Sequence, residues 1–305
     1  VSILPVFADR IGESASGRAL TMANELLIFS PFTYGGLFEY TLHQAAALAE
    51  IDETHLLLPA NADLGRFDRL RAITSPVLTE DTGHAPASRL SRLAKNVQRI
   101  RDNHRCLARE ISRRGSRYVL FGAFAEYLAP LWSAPFRRLR QQGTRFGAVV
   151  HDPVRDFRVG PVWWHRRSVA AAYAFLDLAF VHEAIELETH CRSSPATVVI
   201  PHGPYALPAP DRDPVAVRRE YGIPREATVV LSFGHIRDGK NLDLFIRAMV
   251  DHPNVHLLVA GKEQSSAQKP AAYYRHLAET VGVDGRCHFR VGYLPDGDAA
   301  NVIQA

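Results

Sequence analysis

Short apolar runs that alternate with stretches of helical length are the feature that most constrains this chain. The runs that predict strands are Leu26–Ser30, His55–Leu58, Tyr118–Phe121, Gly147–Val150, Leu178–Val181, Thr197–Ile200, Val229–Phe233, Val255–Ala260 and Cys287–Val291. Runs that are apolar throughout, with little in–out alternation, are typical of strands buried on both faces of a sheet. The pattern therefore predicts an α/β fold in which helices cover parallel sheets.

The chain has 305 residues, enough for two domains of ordinary size. The proline-rich stretch 201–210 is the best candidate linker, so we predict domains at residues 22–200 and 201–305. Met22 directly precedes the first predicted strand, and we interpret residues 1–21 as an N-terminal extension outside the fold. That extension shows no basic region followed by an apolar core, so a secretory signal is not expected.

Composition narrows the class of protein. No apolar run approaches the roughly 18 residues that a membrane helix needs. Cys106, Cys191 and Cys287 are odd in number and widely spaced, which argues for a reducing compartment without a disulfide framework or a cysteine zinc site. We therefore expect a cytoplasmic protein.

Residues 89–117 predict a basic amphipathic helix. This stretch holds ten Arg or Lys residues and only two acids, Asp102 and Glu110. The apolar residues that recur at three- and four-residue spacing are Leu90, Leu93, Val97, Ile100, Leu107 and Ile111. The arginine face either meets water or contacts an anionic surface at the inner membrane face. Nucleic acid is not expected, because no helix-turn-helix, zinc-finger or RNA-binding aromatic pattern accompanies the charge.

Four loops after predicted strands carry glycine or histidine. Gly35 and Gly36 precede a predicted helix at residues 41–50, where they either form a plain tight turn or let the backbone approach an anion. His151 ends a strand at the sheet edge where ligands bind in α/β folds. Asp152 either orients that imidazole or caps the next turn, and His182 ends another strand. His202 and Gly203 fit a hinge contact and a site equally well.

The loop after the strand at residues 229–233 is basic. Gly234 frees the backbone, and Arg237 and Lys240 precede a helix predicted at residues 241–250. Two cations beside a helix N-terminus favour a phosphate or diphosphate, although an exposed basic loop has the same sequence. The order of the glycine and lysine residues differs from the GxxxxGK[ST] order of a nucleoside-triphosphate P-loop.

Several of these segments resemble one enzyme family. The stretch FGHIRDGKNLDLFIRAM, residues 233–249, resembles the FGxIRxYKGxDxLIxA pattern of family-four retaining glycosyltransferases of GT-B fold. The other similar segments are residues 34–39 (the N-terminal glycine loop), 149–153 (the acceptor-domain histidine), 199–203 (the interdomain IPHG segment), and 255–261 and 289–295 (the next two strands). The resemblance spans about residues 25–305.

The resemblance implies two Rossmann-like βαβ domains facing a cleft, with 22–200 on the acceptor side and an incomplete donor domain at 201–305. It implies transfer of a sugar from a nucleotide-diphosphate donor to a glycan or lipid-linked acceptor, with retention, in polysaccharide or glycolipid synthesis. The site residues that it implies are His151 against the sugar or acceptor, Gly234, Arg237 and Lys240 on the diphosphate, and Gly35, Gly36, His202 and Gly203 along the cleft. The sugar nucleotide is a co-substrate, and no metal ion or other cofactor is expected.

The sequence departs from the family pattern at two kinds of position. Gly239 replaces the usual Tyr and Asn241 the usual Gly. The family's acidic E-x7-E segment is expected beyond residue 305, which implies an incomplete donor site and a chain that is inactive by itself. The alternatives are a non-catalytic phosphate- or nucleotide-binding fragment, another GT-B enzyme such as a nucleotide-sugar epimerase, and a basic adaptor acting through residues 89–117.

Overall fold

The computed structural model describes residues 25–305 except 34, 81–88, 125, 156–157, 159, 204–206 and 265–267. The chain divides into two compact units after Gly203, which we call unit 1 (residues 1–203) and unit 2 (residues 204–305). The predicted extension at 1–21, and Met22 with it, lies outside the described residues.

Unit 1 contains a seven-stranded parallel sheet with the order β3-β2-β1-β4-β5-β6-β7. Its strands are β1 (Leu26–Phe29), β2 (Thr54–Pro59), β3 (Thr74–Leu78), β4 (Tyr118–Phe121), β5 (Arg145–Val149), β6 (Leu178–Val181) and β7 (Ala196–Val199). The predicted strands of this unit are all present, with ends displaced by at most a few residues. The mixed α/β class with parallel sheets is confirmed.

Strand β3 is the strand that the sequence pattern missed. It lies at the edge of the sheet and pairs only with β2 among the described strands. Pro76 interrupts it, and Val77 is exposed. Proline has no backbone N–H to donate to a neighbouring strand, so it is tolerated at the edge of a sheet. An edge strand with exposed side chains also lacks the continuous apolar run that marks a buried strand.

Helices cover both faces of the unit 1 sheet. They are α1 (Gly36–Leu48), α2 (Arg89–Arg114), α3 (Ala134–Gln141) and α4 (Val162–Tyr173). Alternate residues of each strand enter opposite cores, so Leu27 and Phe29 join one cluster and Leu26 and Ile28 the other. Four of the fully buried phenylalanines in the first cluster have rings 5.2–6.5 Å apart: Phe121, Phe136, Phe146 and Phe175. Burying one such ring contributes about 1.5–3 kcal/mol.

Helix α1 begins earlier than predicted. The sequence pattern placed its start at Thr41, whereas the first helical residue is Gly36 and Gly35 is the N-cap. Gly35 has φ 87°, a left-handed conformation that L-residues rarely adopt, and its carbonyl accepts the first helical bond from Glu39 N. The glycine pair is therefore the start of the helix rather than a loop that precedes it.

Helix α2 is the predicted basic helix, ending at Arg114. Leu107 and Ile111 are fully buried in the first core cluster, so the apolar stripe enters the core as expected. Arg113 and Arg114 both pair with Glu110, while Arg101 and Arg109 are exposed. Contact of this face with an anionic membrane stays a prediction. Among the described helices, none is both long and apolar enough to cross a bilayer.

Unit 2 contains a three-stranded parallel sheet with the order β10-β9-β8. Its strands are β8 (Thr228–Phe233), β9 (Val255–Gly261) and β10 (Cys287–Val291), and its helices are α5 (Pro214–Glu220), α6 (Leu242–Ala248), α7 (Ala271–Thr280) and α8 (Asp296–Gln304). Helices α6 and α7 pack on one face of this sheet, and α8 packs on the other. All three strands match their predictions closely.

Candidate functional site

Three histidines follow three neighbouring strands of unit 1. His151 comes after β5, His182 directly after β6, and His202 after β7. Because these strands are parallel and adjacent, their carboxyl ends lie at one edge of the sheet. The histidines, separate in sequence, therefore meet in space, and we call His151, His182 and His202 the histidine cluster.

Hydrogen bonds fix the rings of the cluster. His182 Nε2 lies 3.0 Å from His151 Nδ1, and His182 Nδ1 lies 3.1 Å from the carbonyl oxygen of Ile200. His202 Nδ1 lies 2.9 Å from the carbonyl oxygen of Gly203. A carbonyl only accepts, so the nitrogens that face these two carbonyls carry the protons.

Tyr40 of α1 packs against all three imidazoles. Its ring centroid lies 4.6 Å from that of His151, 5.3 Å from His182 and 5.2 Å from His202. The contacts with His151 and His182 are edge-to-face, the arrangement that the ring quadrupoles favour. The ring thus holds the cluster in place from the side of α1, and the sequence pattern gave no signal for this role.

Burial lowers the pKa of His151 to about 4, with further lowering by His182 and His202. The backbone of Gly122 and the charge of Asp152 oppose this shift but do not cancel it. His151 is therefore neutral at pH 7. Its Nε2 is buried and has no hydrogen-bond partner within the part of the chain that the structure describes. His151 therefore contributes an uncharged ring to the histidine cluster.

Asp152 does not orient His151. The imidazole's nitrogen contact is with His182, and Asp152 is the weakest of the influences on the pKa of His151. The sequence did not pair His151 with His182, because the order of the strands in the sheet was not known. The signal that pointed to it was its place at the end of a predicted strand.

A buried ion pair holds the loops beside the cluster. The Arg155 guanidinium donates to both carboxylate oxygens of Glu126 at 2.5 and 2.6 Å, and the Tyr173 hydroxyl donates to the same carboxylate. Arg155 also donates to the carbonyl of Glu188 at 2.9 Å. Burial and the Glu126 charge raise the pKa of Tyr173, so it stays a proton donor. This network ties together the loops that follow β4, β5 and β6.

Close packing fixes the end of β4 against α1. An added Cβ at Gly122 would lie 2.5 Å from Thr41 Cγ2, closer than real side chains approach. The Gly122 amide donates to the Phe29 carbonyl at 3.1 Å. Gly122 therefore lets α1, which carries Gly35, Gly36 and Tyr40, lie against the sheet edge where the histidines meet.

In unit 2 the predicted diphosphate loop follows β8. Gly234 has φ 96°, and Lys240 Nζ donates to the Phe233 carbonyl at 2.7 Å. Arg237 and Lys240 are both exposed. The guanidinium of Arg237 has no hydrogen-bond or ion-pair partner among the residues that the structure describes. We call Gly234, Arg237 and Lys240 the basic loop.

The predicted helix at 241–250 is shorter than expected. A 3-10 turn, Asp238–Lys240, comes first, and Asn241 then adopts a left-handed conformation with φ 52°. Helix α6 runs only from Leu242 to Ala248. The left-handed Asn241 separates the 3-10 turn from the helix that follows it.

The acids near the basic loop are already engaged. Asp238 Oδ1 accepts from Lys269 N at 3.0 Å, and Asp243 pairs with Lys269 Nζ at 3.2 Å. These bonds join both carboxylates to Lys269 rather than to Arg237 or Lys240.

Gly261, at the end of β9, makes the basic loop compact. An added Cβ there would lie 1.9 Å from the Gly234 carbonyl oxygen, and Gly261 has φ 154°. The Gly234 amide donates to the Ala260 carbonyl at 2.9 Å. Glycine is therefore required where the β9 end meets the loop after β8, a requirement that the sequence did not reveal.

Comparison with known proteins gives the fold class. No protein-family model matches this chain, and no curated protein sequence matches it. Sucrose-phosphate synthase from Thermosynechococcus elongatus is similar in structure, with a TM-score of 0.60 and 15% identity over 92% of this chain and 73% of that chain. The catalytic domain of starch synthase IV from Arabidopsis thaliana, bound to ADP and acarbose, has a TM-score of 0.60. Its identity is 11%, over 93% of this chain and 77% of that chain.

A third similar structure is that of Anabaena HepE in complex with UDP. Its TM-score is 0.57 at 14% identity, over 92% of this chain and 71% of that chain. Identities this low show the fold alone. The chain has the GT-B fold of glycosyltransferases, with a seven-stranded and a three-stranded parallel sheet.

Proposed function

We propose that this protein is a glycosyltransferase that moves a sugar from a nucleotide-diphosphate donor to a glycan or lipid-linked acceptor, with retention at the anomeric carbon. The observation that carries the proposal is the basic loop: Arg237 and Lys240 are exposed beside Gly234, after a parallel strand. Structures of this fold with bound ADP or UDP give further support. The sequence resemblance at 233–249 supports retention.

The chemistry that these residues would supply is electrostatic. When the bond from the anomeric carbon to the diphosphate breaks, the bonding electrons leave with the phosphate oxygen. Arg237 and Lys240 would stabilise that developing charge with charge-assisted hydrogen bonds. This role needs no metal ion, and we propose none for the transfer step.

The residues of unit 1 would bind the sugar and the acceptor. His151 is neutral, so it would exchange hydrogen bonds with a sugar hydroxyl without adding charge. Gly35 and Gly36 are exposed at the start of α1, where an anionic or hydroxyl group is favoured. His202 and Gly203, also exposed, would add contacts near the same strand ends.

The test is binding and turnover in Lys240→Ala. We expect release of nucleoside diphosphate from a nucleotide-sugar panel to fall by about 10²–10³-fold, the usual loss when one such donor is removed. Calorimetry with UDP, ADP and GDP should show weaker binding of the preferred nucleotide. The matched control is Arg247→Ala, an exposed cation on α6 outside the basic loop, which should leave both measurements unchanged.

Three results would distinguish the glycosyltransferase from its alternatives. Unchanged nucleotide binding in Lys240→Ala contradicts the role of the basic loop. Binding without any sugar transfer favours a non-catalytic nucleotide-binding protein. Interconversion of the nucleotide sugar without an acceptor favours an epimerase.

A further inference from the structure

We propose that His151, His182 and His202 form a binding site for a divalent transition-metal ion of the zinc class. One ring nitrogen from each histidine contributes, and the three nitrogens lie within 4.8 Å of one another. Ligand nitrogens about 2.0–2.1 Å from a tetrahedral Zn²⁺ lie about 3.3 Å apart. His182 Nε2 and His151 Nδ1 are separated by 3.0 Å, close to this spacing.

The outer nitrogens of two ligands are already held by backbone carbonyls. His182 Nδ1 faces the Ile200 carbonyl, and His202 Nδ1 faces that of Gly203. Metal-binding histidines usually donate their second N–H to such an acceptor, which fixes the tautomer and aims the other nitrogen at the metal. With Nδ1 facing a carbonyl in both rings, Nε2 is the nitrogen that each would direct toward a metal ion.

The positions of the ring protons on His151 and His182 also favour a bound cation. With His182 Nδ1 protonated toward Ile200, its Nε2 has a lone pair directed at His151 Nδ1. If His151 is protonated at Nδ1, its buried Nε2 keeps a lone pair without a donor among the described residues. If it is protonated at Nε2, two lone pairs face each other. In this second tautomer, a metal ion bound by both His151 Nδ1 and His182 Nε2 would accept the two lone pairs.

The chemistry of the donors selects the class of metal. Imidazole nitrogens suit zinc, copper and nickel, whereas calcium and magnesium prefer oxygen ligands. His202 is exposed, which gives an ion an entry path and leaves a coordination position toward solvent. The inference concerns binding alone and does not rest on the proposed function.

The test is calorimetric titration of the 305-residue chain with Zn²⁺. We expect one ion per chain, and in His202→Gln an affinity at least about 10-fold lower, since loss of an outer-shell partner alone costs this much. His202 is exposed, so the variant should fold, which circular dichroism checks. The matched control is His288→Gln, in the other close histidine pair, where His256 Nδ1 lies 3.0 Å from His288 Nε2. It should leave the affinity unchanged.

A second readout uses Co²⁺. Visible absorption of bound Co²⁺ reports its ligands, and we expect nitrogen-type bands without a thiolate charge-transfer band. Three results would overturn the proposal: no Zn²⁺ binding by the wild-type chain, equal affinity in the wild type and His202→Gln, or a thiolate band that assigns the ion to cysteine.

Discussion

The histidine cluster of unit 1 and the basic loop of unit 2 both follow parallel strands, yet their physical chemistry is opposite. The cluster is partly buried, packed against Tyr40 and neutral at His151. The basic loop is exposed and cationic at Arg237 and Lys240. The first is positioned by its surroundings, whereas the second is free to adapt to an anion. Substitution of a supporting residue should therefore lower the free energy of unfolding far more near the histidine cluster than near the basic loop.

The largest expected effect comes from the ion pair beside the cluster. Glu126→Ala leaves the largely buried Arg155 without its carboxylate, and we expect a loss of about 3–5 kcal/mol in the free energy of unfolding. The matched change in unit 2 is Asp243→Ala, which removes the partly exposed partner of Lys269 and should change stability little. Urea denaturation measures both. Equal losses in the two variants would contradict the contrast between the regions.

Acid should destabilise unit 1 through a second neutral histidine. Burial lowers the pKa of His104 to about 4, opposed by its bond to the Ile100 carbonyl, and the ring stacks on Trp132 at 4.0 Å. The unfolded chain, with an ordinary pKa near 6.5, binds the proton first as the pH falls. Stability is therefore complete above about pH 6.5 and is lost progressively toward pH 4.

The variant His104→Phe isolates this contribution, because phenylalanine keeps a ring against Trp132 but cannot titrate. Between pH 8 and pH 5, the wild type should lose about 2 kcal/mol more than the variant. Denaturation at a series of pH values measures the difference. Parallel curves for the two proteins would show that His104 is protonated in the folded state as readily as in the unfolded chain.

A smaller effect is expected from backbone packing. Gly122→Ala places a methyl group 2.5 Å from Thr41 Cγ2, and overpacking of this kind costs about 1–3 kcal/mol. Gly239→Ala in the basic loop meets no atom within 4 Å and should have no packing cost. Thermal melts compare the two. A Gly122 variant as stable as the wild type would mean that α1 shifts easily, which weakens the case for a rigid cluster.

The residues of the candidate site differ in how far the sequence could predict them. Arg237 and Lys240 belong to one short segment after an apolar run, so local pattern alone predicted an exposed basic loop. His151 was identified by its place after a strand, but the sequence left the role of Asp152 open and could not reveal His182, which is 31 residues away, as the contact. Tyr40, Glu126 and Gly122 gave no local signal, since each acts through a distant residue.

The same division holds for the fold. The apolar runs by themselves determined the parallel strands and the α/β class, because a strand buried on both faces must be apolar along its length. Edge strand β3 escaped this rule, and the starts of α1 and α6 depend on left-handed conformations at Gly35 and Asn241. Which strands are neighbours is set by packing between distant segments. Only the tertiary structure, by placing β5, β6 and β7 side by side, brought His151, His182 and His202 into one cluster.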